Sequence, residues 1–117
     1  MNEKDPNKKK EWTWYEAKYE MAEFILNRII NYKENYNKNG YSLPIWILED
    51  AEKKESYSDK EELYLKYKWN EELDKMIESF NQILNYTLQF DEKLEYDEKK
   101  IQDGLNRFSK YYIHFWD

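Results

Sequence analysis

Glycine and proline are almost missing from this sequence, and their scarcity limits its fold more than any motif does. Gly40 and Gly104 are the only glycines, Pro6 and Pro44 the only prolines, and the 73 residues after Pro44 hold one glycine and no proline. Strands joined by tight hairpins need turn residues at short intervals. An all-β fold is therefore excluded, and helices are expected. At 117 residues the chain is long enough for one domain with one modest core.

Composition then separates a folded helical domain from a disordered polar chain. Charged residues make up 38%, the net charge is −6, and the mean hydropathy of −1.20 is low. Against this stand five tryptophans, twelve tyrosines and five phenylalanines, the bulky groups that disordered chains lack. There is no cysteine, which excludes disulfides, zinc–thiolate sites and thiol catalysis. A single histidine, His114, excludes multi-histidine metal sites. No apolar stretch approaches the ~20 residues of a membrane span, and the polar start, Met1 to Lys10, carries no secretory signal. A cytoplasmic protein that does not bind membranes is expected.

Periodicity divides the chain into three main helices and one short one. Residues 1–11 read as a disordered basic tail with Lys4, Lys8, Lys9 and Lys10, and 12–117 as a single helical domain. The first helix is expected from about Thr13 to Asn37, with Tyr15, Tyr19, Ala22, Leu26, Ile29 and Ile30 on its buried face, widened by Met21, Ile25 and Tyr32. Gly40 would end it in the left-handed conformation. A short helix is expected after Ser42 or Leu43, with Pro44 in its first turn. From Glu49 to Glu62, seven acids against three lysines read as a solvated connection.

Ser58-Asp-Lys-Glu61 is a capping box, and it predicts a long helix from Asp59 to between Asn85 and Phe90. Leu63, Tyr67, Leu73, Met76, Ile77, Phe80, Ile83, Leu84 and Thr87 are assigned to its buried face. The last helix is expected over about Lys93 to Phe115, with Leu94, Ile101, Phe108 and Phe115 spaced by seven and Leu105 and Tyr112 beside them. Gly104, inside that helix, either permits a close helix–helix approach or is a glycine tolerated on the surface. The fold class is all-α, a small helical bundle.

Two stretches carry a family resemblance. Lys68-Trp-Asn-Glu-Glu-Leu-Asp-Lys-Met-Ile77 with Phe80, and Glu98-Lys-Lys-Ile-Gln-Asp-Gly-Leu-Asn-Arg-Phe-Ser-Lys-Tyr-Tyr112 with Phe115-Trp-Asp117, resemble a family of small proteins encoded by tailed phages. The resemblance covers roughly the last 50 residues and implies a phage origin, a host-cytoplasmic location during infection and an anti-defence role. It implies no catalytic residue.

The chemistry-bearing residues point to binding and not to catalysis. No phosphate loop, nucleophile elbow or Glu-x-x-His pair is present, so no enzyme, cofactor or metal is expected. Asp74 and Glu78 beside core positions read as a lysine-paired helix face. Only two arginines accompany seventeen lysines, and Arg28 and Arg107 both lie beside apolar positions. A guanidinium there needs a carboxylate, an aromatic face or an anion. Either both make ion pairs within the molecule, or they clamp phosphate with Lys66, Lys75 and Lys110; Trp69, Tyr111 and His114 correspondingly either pack in the core or stack on bases.

Two readings follow. The first is a non-enzymatic sponge for a nucleotide-derived immune signal, with Arg107, Arg28, Trp69, Lys66, Lys75, Lys110, Tyr111 and His114 as ligand-binding residues. The second is an inhibitor that binds a host defence protein through an acidic, Tyr/Trp-rich surface. A deep basic pocket favours the first, an exposed aromatic patch the second. Polymeric nucleic acid is not an expected partner of so acidic a chain. The surplus of aromatic residues predicts a homo-oligomer.

Overall fold

A computed structural model of the chain describes residues 16–40, 42–87 and 97–115. Three helices dominate: α1 (Ala17–Asn39), α2 (Asp59–Thr87) and α3 (Glu98–Tyr111), the last continuing as a 3-10 turn over Tyr112–His114. No strand occurs among the described residues. The all-α bundle read from the sequence is the fold found.

Local chemistry sets the boundaries. Gly40 ends α1 at φ 57°, ψ 46°, and its N–H donates to the Tyr36 carbonyl over 2.7 Å. That left-handed cap is cheap only for a residue without Cβ. Ser58 Oγ accepts from Glu61 N–H at 3.2 Å, and Glu61 Oε1 accepts from Ser58 N–H at 3.1 Å, completing the capping box. Asp97 caps α3 by accepting from the N–H groups of Lys99 and Lys100. The cap places the start of α3 at Glu98, later than the Lys93 expected; Leu94 lies outside the described residues, as do Thr13 and Tyr15 of the expected first helix.

The segment between α1 and α2 departs from expectation. In place of one short helix there are two 3-10 turns, Ile45–Ile47 and Asp50–Glu52, separated by extended Leu48 and Glu49. Three apolar residues supply only one turn. Glu49 and Glu52 then form a capping box of their own, which starts a new turn and does not extend the old one.

α2 is the centre of the bundle, and both other helices run antiparallel to it. Lys33 pairs with Asp74 and Asn37 with Asn70 along α1. Along α3, Gln82 Oε1 accepts from Asp97 N–H, Ser79 Oγ donates to the Ile101 carbonyl, and Arg107 pairs with Glu72. The face of α2 that receives both neighbours is Leu65, Trp69, Leu73, Met76 and Phe80, spaced four, four, three and four. Trp69, Leu73 and Met76 are fully buried, each contributing roughly 1.5–3 kcal/mol of apolar burial. Leu26, Ile29 and Tyr36 of α1 and Tyr111 of α3 close over them.

Three sequence assignments shift by one stripe. Leu63 and Tyr67, expected in the α2 core, are exposed, while Leu65 and Trp69 take the buried places. Met21, expected to widen the α1 core face, is exposed. On α3 the second seam is Gly104 and Tyr111, and Tyr112 stands in solvent. A hydrophobic helix position identifies a core only once its neighbours' directions are known.

Candidate functional site

The aromatic residues near the chain's end converge on Trp69, and they do so as core. The rings of Trp46 and Tyr111 meet Trp69 edge-on at 5.3 and 5.4 Å, and Tyr32 does so at 6.3 Å. Such T-shaped contacts satisfy the ring quadrupoles. The Trp69 indole N–H donates to Tyr32 Oη over 3.3 Å, so its polar handle is satisfied inside the protein. With no exposed surface, Trp69 offers no face to a base. Tyr111 is buried beside it. His114 lies parallel to the Trp46 indole, with ring centres 5.4 Å apart.

Arg107 is engaged by two carboxylates. Its Nη1 donates to Glu72 on α2, and its Nε donates to Asp103 Oδ2 one turn earlier at 3.0 Å. Partial burial by itself would lower its pKa. The hydrogen bonds from Glu72 and Asp103 outweigh that effect and hold the guanidinium above its ordinary value. The ion-pair alternative describes Arg107.

The remaining cations are spread over the molecule. Arg28 is exposed on α1, its guanidinium carbon 5.8 Å from the centre of the Phe24 ring. Lys66 approaches the end of α1, its Nζ 3.9 Å from the place a Cβ would occupy on Gly40. Lys75 is exposed, and its carbonyl faces Gly104. Lys110 Nζ lies 5.2 Å from the Tyr111 ring centre. Asp74 and Glu78 do pair with lysines, but with lysines of the neighbouring helices and not one turn along α2: Asp74 with Lys33 of α1, and Glu78 with Lys100 of α3 at 3.8 Å.

The eight candidate residues therefore do not line one cavity. Trp69 and Tyr111 share the core, with His114 next to them across Trp46, and the five cations occupy separate places. Shallow depressions mark the described surface. One, of about 380 Å³, lies between the first turns of α1 and the last of α2 and is lined by Ala17, Lys18, Met21, Ala22, Ile25, Phe80 and Ile83. Another, of about 360 Å³, is lined by Ser42, Leu43, Ile45, Trp46, Lys53 and His114. Among the eight, only His114 borders either. No group of three or more metal-ligating side chains occurs among the described residues, and no helix there is long and apolar enough to cross a membrane.

What stands exposed is a tyrosine-rich surface at the start of α2. Leu63, Tyr64 and Tyr67 are 69%, 58% and 63% exposed. Spacings of one, three and four residues place them on one side of the helix, opposite Leu65 and Trp69. The acidic connection folds against this end: Lys54 pairs with Glu61, and its N–H donates to Tyr57 Oη at 2.9 Å. The sequence signal for this surface was present. Leu63, Tyr64 and Tyr67 share their stripe with Lys60, Glu71 and Asp74, a polar stripe where three apolar residues have no core to enter.

No protein-family model, curated protein or solved structure matches the chain.

Proposed function

We propose that this protein is a non-enzymatic binding protein that inhibits a host defence protein by direct contact, in the cytoplasm of a phage-infected cell. The observation that carries the reading is the exposed Leu63–Tyr64–Tyr67 surface. Tyrosine beside aliphatic side chains, rimmed by charge, is the composition of protein–protein contact centres. Acids from Glu49 to Glu62 immediately precede it in sequence and suit a basic partner surface. The resemblance of the last 50 or so residues to small tailed-phage proteins supplies the biological setting.

Capture of a nucleotide-derived signal has less support. It asks for cations gathered around an aromatic slot, whereas Arg107 is held by Glu72 and Asp103 and Trp69 is enclosed.

Expression in bacteria carrying defined defence systems, followed by phage plating, tests the reading. The wild-type protein should restore plating against at least one system. The Tyr64→Ala/Tyr67→Ala variant should lose that effect with unchanged helix content and melting temperature, since both side chains are exposed. Calorimetric titration with cyclic oligonucleotides and ADP-ribose-type signals should give no binding heat. Saturable heat with any of them would replace this reading by signal sequestration.

A further inference from the structure

Glu20, Phe24 and Arg28 stand four residues apart on α1 and so form one ridge along the helix. Phe24 is 66% exposed, and Arg28 lies across its ring. Neither Glu20 nor Arg28 forms an ion pair among the described residues. Beside the ridge, Met21 is 60% exposed, and with Ile25, Phe80 and Ile83 it borders the larger surface depression. The ridge thus joins an exposed ring already covered on one side by its own arginine to an acid and a base that form no ion pair among the described residues, beside an apolar depression. It lies at the opposite end of α2 from Tyr64 and Tyr67, because α1 and α2 are antiparallel.

We propose that this face of α1 pairs with the same face of a second copy of the chain, antiparallel, about a two-fold axis at Phe24. A two-fold contact requires a surface complementary to itself, and acid, ring and base at equal intervals meet that condition. Rotation about an axis through Phe24 brings Arg28 of each copy opposite Glu20 of the other, four residues to either side. The two Phe24 rings meet at the centre, and each Met21 gains apolar cover. Arg28 keeps its ring contact while acquiring a carboxylate, the arrangement in which an interface arginine contributes most. The chain's own residues 1–15 carry both signs of charge in no matching order, whereas a second copy presents acid, ring and base at the intervals of α1 itself. The pairing leaves the α2 tyrosine surface open on both copies.

Sedimentation of the full-length protein tests the pairing, with circular dichroism to establish that each variant is folded. The wild type should approach twice its 14.7 kDa chain mass by about 100 µM, a concentration that detects even a weak dimer. Phe24→Asp should leave a monomer with unchanged helix content. Arg28→Glu and Glu20→Arg should each weaken association at least about tenfold, because each places like charges opposite one another twice per dimer. The combined Glu20→Arg/Arg28→Glu protein should return to within about threefold of wild type, since opposite charges face again. A wild type that stays monomeric, a dimer indifferent to Phe24→Asp, or a double variant no better than the singles would each overturn the proposal. A monomer whose Phe24→Asp form melts lower would overturn it too, and would assign the face to residues 1–15.

Discussion

Gly104 of α3 lies against Ser79 of α2 so closely that a Cβ on the glycine would overlap the serine Cβ. The same Cβ would stand 2.6 Å from the Lys75 carbonyl oxygen. Ser79 is itself fully buried, and its Oγ donates to the Ile101 carbonyl at 2.7 Å. Helix meets helix here backbone to backbone, and a hydrogen bond fixes the register. Two of the obstructing atoms belong to the α2 backbone or next to it, so no side-chain rotation relieves the clash.

Gly104→Ala should therefore destabilise the protein, although alanine is the better helix former. The propensity gain is about 0.5–1 kcal/mol, and overpacking a close contact costs about 1–3 kcal/mol and at times more. The overlap with Ser79 places this site at the upper end, and the overlap wins. A melting temperature lower by roughly 5 °C or more is the expected result of a thermal scan. An unchanged or higher value would show that the helices separate freely at this point.

Arg107 ties α3 to the middle of α2 through Glu72 and is braced by Asp103. Arg107→Ala leaves the mostly buried Glu72 carboxylate without its cation, at a cost of about 1–3 kcal/mol. Arg107→Lys should recover only part of this, because one ammonium cannot reproduce two guanidinium contacts in fixed directions. A denaturation double-mutant cycle with Glu72→Ala checks the assignment. Additive losses, with no coupling between the two positions, would contradict it.

Tyr36 is buried at the end of α1, and its Oη donates to the Ser42 carbonyl at 2.7 Å. Burial, with a smaller contribution from Tyr32, pushes its pKa from 10.0 up to about 12. The folded state thus holds the phenolic proton more tightly than the unfolded chain does. Stability tied to this group is complete below pH 10 and falls as pH rises from about 10 towards 12. Urea unfolding across that range should show a loss in the wild type that Tyr36→Phe reduces, phenylalanine having no proton to release.

Glu61 shows the opposite sign at the start of α2. The hydrogen bond from Lys54, then that from the Ser58 backbone, holds its carboxyl down from 4.5 to about 2. The cap it makes is intact above the unfolded value and is lost as pH falls from about 4.5 through about 2. Carbon-detected NMR titration should place the Glu61 midpoint near the lower figure. Lys54→Ala should move the midpoint upward, and a carboxyl that titrates near 4.5 in the wild type would remove the Lys54 contact from the solution structure.

Sequence by itself determined the local structure of this protein. The scarcity of glycine and proline selects helices, Gly40 ends α1, and Ser58 and Glu61 start α2, because each effect depends on a residue's own backbone or on neighbours within a turn; that Gly104 is a point of helix contact and not a tolerated surface glycine was decided by Ser79 and Lys75 of α2. Tertiary structure decided what the side chains are for. Whether Trp69 stacks on a ligand or fills the core depends on Trp46, Tyr32 and Tyr111 arriving from three other segments. Arg107 meets Glu72 from 35 positions away, and Leu63 and Tyr67 face solvent because α1 and α3 settle on the neighbouring stripe of α2. Helical periodicity supplies an angle around an axis. Only packing turns that angle into an inside and an outside, which is why the aromatic and basic residues could be enumerated from the sequence but not assembled.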